Sequence, residues 1–574
     1  MSGALERVDS ALRGVLGARS AAWAGVVASV VVIAGCLMAW TFSASFPPNL
    51  TVYFYPAGSQ LYTLVLAVLG LLLFLSAVNN RGVLRWVSGG AAASGARIAA
   101  LGVVVVVGYT IIAITTQLGG LVNVDIGGWV TLAGAVGMLV AARALPDDRV
   151  DVRRPRLPVW GEILVIAVML ALILWAAVIG LDMESSEEFI AFSLFLGMFV
   201  FTLQRVGLLD WVNRMTQRNR KVTIVAGFVA ALVFPFTQGT NNTYLSVAAT
   251  AGLFAATAIG LNIVVGLAGL LDLGYIAFFG VGAYVGALLS GSAFSTIGWS
   301  PPFFVTLILG AAIAALFGVL IGAPTLRLRG DYLAIVTLGF GEIFRIAMNN
   351  MDGFAGPDLT NGPNGIPAIP PLNLFGWDFG NDLTIFGFTL GNFANYYLLE
   401  IAFIAVVILI FVRSNNSRIG RAWVAIREDE TAAAAMGINT TRFKLLAFAL
   451  GALLAGAAGT VSAHLSASVT PDSFQFLQSI FLLAAIVLGG LGTVSGALLG
   501  STLLILLPEK LRFFADNRLL IFGLALVLMM RFRPEGILPD KRRAAEFHED
   551  QDEVGAMGAA PGSPVAQLTP ADRL

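Results

Sequence analysis

Charge is what this chain has least of. Asp, Glu, Lys and Arg make up 12% of its 574 residues, about half the roughly 25% of a soluble domain. The two signs balance at 34 each, so no basic excess points to nucleic acid. Cysteine is nearly absent. Cys36 stands alone inside an apolar run, which excludes an intrachain disulfide and a cysteine metal cluster. The histidines, His464 and His548, are too few and too far apart in the chain for a metal site. Lysine occurs only as Lys221, Lys444, Lys510 and Lys541, none of them after a glycine, and no G-x-x-x-x-G-K-[ST] stretch exists. The chain therefore carries no P-loop of its own. It also shows no clustered His/Asp/Glu set, no Ser/His/Asp arrangement and no cofactor motif, so it is read as non-catalytic, with no metal or cofactor bound.

What fills the chain instead is hydrocarbon: 57% of the residues are hydrophobic. A bilayer core needs about 20 apolar residues per helix, and backbone groups in lipid must be paired within each span. The alternation of a membrane barrel is missing. The expected fold is all-α, a polytopic helical membrane protein of about 16 transmembrane helices with glycine-rich broken helices in its second part.

Two modules and a tail are expected. In 1–220, apolar runs fall near 21–42, 59–79, 98–117, 126–144, 159–181 and 188–204. Basic connectors around Arg81, Arg85 and Arg97, in "RALPDDRVDVRRPR" and in "RMTQRNRK", alternate with "FPPNLTVYFYPAGS", "LVNVD" and "LDMESSEE", which lack Lys and Arg. Basic loops stay cytoplasmic, giving six spans with both ends inside. The first run follows Arg7, Arg13 and Arg19 like a signal peptide. It extends for about 20 residues without a clear cleavage site and reads as a retained span. Glu162, near the cytoplasmic end of a span, has no need to be buried.

The second module, 221–541, holds about ten apolar segments. Its linker 350–394 contains no Lys or Arg and is rich in Gly, Pro, Asn and Asp. It reads as a large external loop, long enough to be a docking surface. "LRLRGD" at 326–331 is basic and hence internal. The tail 542–574 is polar and aperiodic, and reads as cytoplasmic and disordered.

One stretch between two spans is dense in charge: "GRAWVAIREDETAAAAMGINTTRFKLLAF", 420–448. Arg418, Arg421, Arg427, Arg442 and Lys444 fix it inside. Helix formers over 422–436 predict one short surface helix, ended by Gly437. Asn439 or Thr440 then caps a span starting near Phe443. On physical grounds alone the stretch is either a solvated topology anchor or a lever rigidly joined to a span.

"ETAAAAMGIN" resembles the cytoplasmic coupling loop of ABC importer permeases. The second module as a whole resembles the branched-chain amino-acid (LivM-type) permease family. The stretches that carry the likeness are "AIGLNIVVGLAGLLDLGYIAFFGVGAYVGALL", "PTLRLRGDYLAIVTLGFGEIFRIAMNN", "GRAWVAIREDETAAAAMGINTTRFKLLAFAL" and "LGGLGTVSGALLGSTLL", in that order over roughly 220–535. The resemblance implies a permease subunit of an ATP-driven importer of branched-chain or related amino acids. ATP and Mg2+ would sit on two partner ATPase subunits. A second permease, a heterodimer in this family, and an extracytoplasmic solute-binding protein would complete the complex in a bacterial-type cell membrane. Arg421, Ile426, Arg427, Glu428, Asp429, Glu430, Ala432, Ala433, Gly437, Ile438 and Asn439 would form the ATPase-coupling loop. The loop 350–394 would be part of the landing site for the binding protein.

The translocation path is sought where polar groups interrupt the apolar runs. Gly266, Gly269, Gly274, Gly280, Gly282 and Gly286, with Asp272 among them, suggest a broken or re-entrant helix lining a cavity, or close helix packing. A second glycine series, Gly492, Gly496 and Gly500, points to an internal repeat. Ionisable groups in a span default to functional hypotheses, so Asn262, Asp272, Tyr275, Glu342 and Arg345 are the path candidates. Glu342 and Arg345, three apart on one helical face, are first read as neutralising each other. The family more often shows serine where Asp272 stands, and histidine or glutamine at Tyr275. A urea or short-amide permease is an alternative within the family. An ion-coupled secondary transporter is the alternative outside it, with few intramembrane carboxylates to support a proton relay. The six-span extension has no place in the usual family pattern and reads as having an accessory or assembly role.

Overall fold

The computed structural model describes residues 17–41, 58–79, 82–146, 154, 156–183, 185–325, 331–354, 356–385 and 387–510, with scattered positions from 520 to 538. The tail 542–574, the internal-loop residues 326–330 and most of the last apolar run lie outside the described residues. Among the described residues, twelve helices are long and apolar enough to cross a membrane, and three shorter apolar helices accompany them. The chain divides into two compact units, 1–231 and 232–574.

The first unit contains α1 (Ala18–Cys36), α2 (Ser59–Val78), α3 (Gly82–Ser88), α4 (Ala92–Leu118), α5 (Ile126–Ala144), α6 (Val159–Asp182), α7 (Ser186–Arg205) and α8 (Leu208–Arg218). Two of these helices begin at a side-chain cap. Asp125 accepts the Ile126 amide before α5, and Ser185 accepts the Glu188 amide before α7. α1 packs on α2 and α5, and α4 packs on α2, α5 and α7. Small residues line these contacts: a Cβ at Gly35 would overlap the side chain of Thr131. Glu162 differs from the sequence expectation. It is 1% exposed, ion-paired with Arg218 and hydrogen-bonded by Asn219 Nδ2 at 2.7 Å. A buried carboxylate is tolerated because it is paired in this way.

The helix α9 (Arg220–Gln238) crosses the boundary between the units. The second unit continues with α10 (Asn242–Asn262), a π-turn at Ile263–Leu267, α11 (Ile276–Leu288), α12 (Phe303–Thr325) and α13 (Asp331–Asn350). The long linker follows, and it folds into two small antiparallel hairpins. β1 (Asn373–Leu374) pairs with β2 (Trp377–Asp378), and β3 (Leu383–Ile385) pairs with β4 (Phe388–Leu390). Next come α14 (Phe393–Asn415), the short helices α15 (Arg418–Glu428) and α16 (Glu430–Ala435), then α17 (Thr440–Ser466), α18 (Phe476–Gly489) and α19 (Val494–Lys510).

α17 is the central helix of this unit, packed on α10, α11 and α12, while α10 also packs on α14 and α19. Glycine permits the close approach. A Cβ at Gly282 of α11 would overlap the backbone of Gly456 in α17, and one at Gly459 would overlap the Phe279 carbonyl. For Gly282 and Gly286 the structure selects helix packing, not a cavity lining. The later glycines do the same for the short pair α18 and α19, where Gly500 abuts Ala485 and Gly489 abuts Gly496.

Candidate functional site

The break between α10 and α11 is built from polar fixtures that reach far along the chain. α10 loosens into the π-turn, where the Ala268 amide donates to the Ile263 carbonyl at 3.1 Å and the Leu270 amide to the Val264 carbonyl at 3.0 Å. π-turns of this kind are frequent at functional sites. Gly269 then takes φ +71, a left-handed conformation that favours glycine. Asn262, 0% exposed, closes the upstream side. Its Oδ1 accepts the Gly492 amide at 2.8 Å and its Nδ2 donates to the Thr493 carbonyl at 3.0 Å. The two glycine segments singled out in the sequence therefore meet at Asn262, on the turn joining α18 and α19.

Downstream, Asp272 Oδ1 accepts the Gly274 amide at 2.9 Å, while the Leu273 amide donates to Thr337 Oγ1 of α13 at 3.0 Å. Asp272 is 1% exposed, and its Oδ2 has no hydrogen-bond partner among the described residues. Tyr275, fully buried, donates to the Gly451 carbonyl of α17 at 2.7 Å. The Ile276 amide donates to Ser479 Oγ of α18 at 3.2 Å. Asn262, Asp272 and Tyr275 thus belong to one site, and α13, α17, α18 and the α18–α19 turn all hold it.

Glu342 and Arg345 sit on α13, and the structure pairs them. Arg345 Nε donates to Glu342 Oε1 at 3.0 Å, and Nη2 bonds the same oxygen. Arg345 Nη1 also lies 3.7 Å from Asp472 Oδ1. These side chains are not buried: Glu342 is 38% and Arg345 26% exposed. Glu342 lies near the middle of α13, beside the outward-facing Ile335, Ile343 and Ile346. The pair therefore stands on the surface of the unit, apart from the enclosed Asp272.

The charged segment is two helices, not one over 422–436. The backbone turns at Asp429 (φ −153°, ψ 107°), whose Oδ1 accepts the Thr431 and Ala432 amides at 2.8 and 2.9 Å. The reason is local: an aspartate that can take up amides two and three residues ahead competes with helix continuation and starts a new helix instead. Gly437 closes α16 at φ +87, with its own amide on Ala434 and that of Ile438 on the Ala433 carbonyl. Asn439 caps α17 by accepting the Arg442 amide at 3.0 Å. α17 starts at Thr440, a few residues before the apolar run.

Inner and outer faces of this segment divide cleanly. Ile426 and Ala433 are 4% exposed, and Trp423 is fully buried with its indole donating to the Phe443 carbonyl at 2.7 Å. Glu430 pairs with Lys444 at 2.6 Å, and the lysine side chain is only 7% exposed. Arg427 turns inward and donates to the Gly266 carbonyl at 2.8 Å, while Glu428 takes its other edge at 2.6 Å. Arg421, Asp429, Ala432, Ala434, Ala435 and Gly437 are exposed, and so is Met436 at 83%.

One buried acid escaped the sequence reading. Glu400 of α14 is 2% exposed with both carboxyl oxygens unpartnered among the described residues, against Gly252 of α10. The signal was present as a lone acidic residue at the edge of an apolar run, in "NYYLLEIAF". Thr337 and Ser479, which hold the break, look like ordinary hydroxyls of an apolar helix and gave no signal.

Known proteins share this organisation in sequence. The family model described as "Branched-chain amino acid transport system / permease component" matches residues 243–530, so the whole of the first unit lies outside the match. The permease protein LivM of the high-affinity branched-chain amino acid transport system of Salmonella typhimurium is 41% identical over 345 residues, covering 58% of this chain and 78% of that protein. The Escherichia coli protein of the same name is 41% identical over 338 residues, with coverages of 56% and 76%. A probable branched-chain amino acid transport permease protein LivM of Methanocaldococcus jannaschii is 25% identical over 308 residues, covering 49% of this chain and 84% of that protein. No solved structure matches the chain. With the break, the capped double helix and the glycine-packed central helix all inside the matched span, the chain belongs to the branched-chain amino acid transport system permease family.

Proposed function

We propose that this chain is a membrane-spanning subunit of an ATP-driven importer that moves branched-chain or related amino acids across a cell membrane. ATP and Mg2+ are bound by two separate ATPase subunits. A second permease subunit and an extracytoplasmic solute-binding protein complete the assembly, and the first unit of this chain is accessory to it.

The observation that carries this reading is the two-faced segment α15–α16. Its outer face offers Ala432, Ala434, Ala435 and Met436 beside the acidic Asp429 and Glu428, a small apolar ridge suited to the groove of a partner. Its inner face is fastened to α17 by the Glu430–Lys444 pair and the Trp423 indole. α17 is the helix on which α10, α11 and α12 pack. A push on the ridge therefore reaches the centre of the unit and is not absorbed by a loose loop. Arg418, Arg421 and Arg442 put this end in the cytoplasm, which leaves 350–394 outside, where the exposed Phe354, Phe375 and Phe388 support a landing surface for the binding protein. Charge near the middle of a span is costly against lipid, so the α13 face carrying Glu342 and Arg345 fronts the path enclosed with the second permease. Asp272, Tyr275 and Asn262 hold the break beside it.

The test is a gentle-detergent pull-down from the native membrane, with the parent and an Ala435→Arg, Met436→Asp variant side by side. A P-loop ATPase should co-purify with the parent and be lost from the variant, whose inner fastenings are untouched. Absence of any ATPase from the parent preparation sinks the importer reading.

A further inference from the structure

Arg427 was expected to belong to the partner-facing surface of the charged segment, yet its side chain is only 17% exposed. It lies at the last turn of α15 and divides its guanidinium between two partners. Nε and Nη2 reach Glu428 at 3.0 and 2.6 Å, on the outer face. Nη1 donates to the carbonyl of Gly266 at 2.8 Å, inside the π-turn where α10 gives way to the break. Packing reinforces that bond. A Cβ added to Gly269 would stand 3.1 Å from Arg427 Cβ and 3.3 Å from its Cα, so the end of α15 rests directly on the left-handed turn of the break. Three residues further on is Asp272, and the adjoining Leu273 amide is bonded to Thr337 of α13.

We propose that Arg427 is the positioning residue that couples the ATPase-facing segment to the broken helix. It holds the Gly266–Gly269 backbone to the end of α15, so that displacement of α15 moves the break against α13 and changes the passage beside it. This proposal rests on the importer reading above and adds a second connection to the one through α17. Lever action through α17 moves whole helices; the Arg427 contact moves the irregular segment that carries Asp272. A guanidinium suits the task because it has donors enough to serve a surface carboxylate and a main-chain carbonyl at once, and charge-assisted bonds are the strong ones. The π-turn supplies the other half, since an irregular turn can shift without breaking a regular helix ladder.

The experiment uses the whole complex, co-purified with its ATPase subunits and reconstituted in liposomes with leucine-loaded binding protein. Leucine uptake and ATP hydrolysis are measured together for the parent, Arg427→Met and Arg427→Lys. Arg427→Met should keep the ATPase bound and hydrolysing while uptake per ATP falls about tenfold, within the usual span of coupling between sites. Arg427→Lys, with one charged donor in reach of Gly266, should recover part of that loss. Hydrogen exchange supplies the second readout: amides 268–270 should exchange faster in Arg427→Met, with α17 unchanged. An unaltered ratio of leucine to ATP, or unaltered exchange at 268–270, overturns the proposal. If Arg427→Met does not insert, Arg427→Gln takes its place under the same criteria. A parent complex that carries no ATPase or takes up no leucine fails differently, and counts against the importer reading itself.

Discussion

The two units use the same apolar vocabulary but place their mid-span polar side chains differently. In the first unit, Ser29, Thr63, Thr110 and Thr131 all donate to the carbonyl four residues back in their own helix, at 2.7–2.8 Å. Such bonds satisfy the hydroxyl and connect nothing else. Among the described residues, most cross-element bonds there sit at helix ends, where Arg97 reaches Ala142 and Leu145 and Arg154 reaches Trp86, Val87 and Val206, while Tyr109 inside α4 donates to the Glu187 carbonyl at 3.3 Å. In the second unit, Asn262, Tyr275, Ser479 and Thr337 bond across elements within the bundle. One unit packs regular helices against each other; the other ties an irregular backbone to its neighbours. Irregular backbone at membrane depth is tolerated only where protein or water satisfies it, so these bonds are what allow the break to exist. The contrast separates a unit of regular helix packing from one whose broken helix is held by bonds between elements.

The contrast can be broken most severely at a glycine contact. Gly282→Leu should disrupt the second unit, because the added side chain has the Gly456 backbone in its place; overpacking of this kind costs about 3 kcal/mol or more when backbone must shift. The matching change Gly108→Leu in α4, where a Cβ meets nothing within 4 Å, should leave thermal unfolding in detergent unmoved. Asn262→Leu comes next. It strips partners from the Gly492 amide and the Thr493 carbonyl, at about 1–3 kcal/mol for buried groups left unpaired, and should lower the melting temperature and abolish transport together. Glu430→Gln weakens the hold on Lys444 by about 1 kcal/mol, since the glutamate is partly solvated. It should reduce transport more than stability, as read by uptake beside a melting curve. Of the changes that remove a bond, Thr110→Val should have the smallest effect, below about 1 kcal/mol because hydroxyl bonds within membrane helices contribute little. A transport defect from Thr110→Val would remove the distinction drawn between the units.

Much of the second unit's wiring was invisible before the fold was known. Glu400 shows why: nothing in its neighbourhood along the chain says that both carboxyl oxygens end up enclosed against Gly252. The loop 350–394 was legible as a long basic-free segment, but its two hairpins were not, since strands of two or three residues leave no periodic pattern. The single helix expected over 422–436 failed at Asp429, where a cap signal inside a run of helix formers was overlooked.

The sequence by itself determined the six long helices of the first unit, the long spans of the second, and the ends of the charged segment at Gly437 and Asn439. Those features depend on hydrophobic runs and on caps that act over three or four residues, so the information is local. Only the tertiary structure decided that Asn262 would hold the turn at Gly492 and Thr493, that Tyr275 would reach Gly451, and that Arg427 would turn from the surface to the carbonyl of Gly266. Each of those bonds joins residues more than 150 apart in the chain. A polar side chain carries no mark of its distant partner until packing brings the two together.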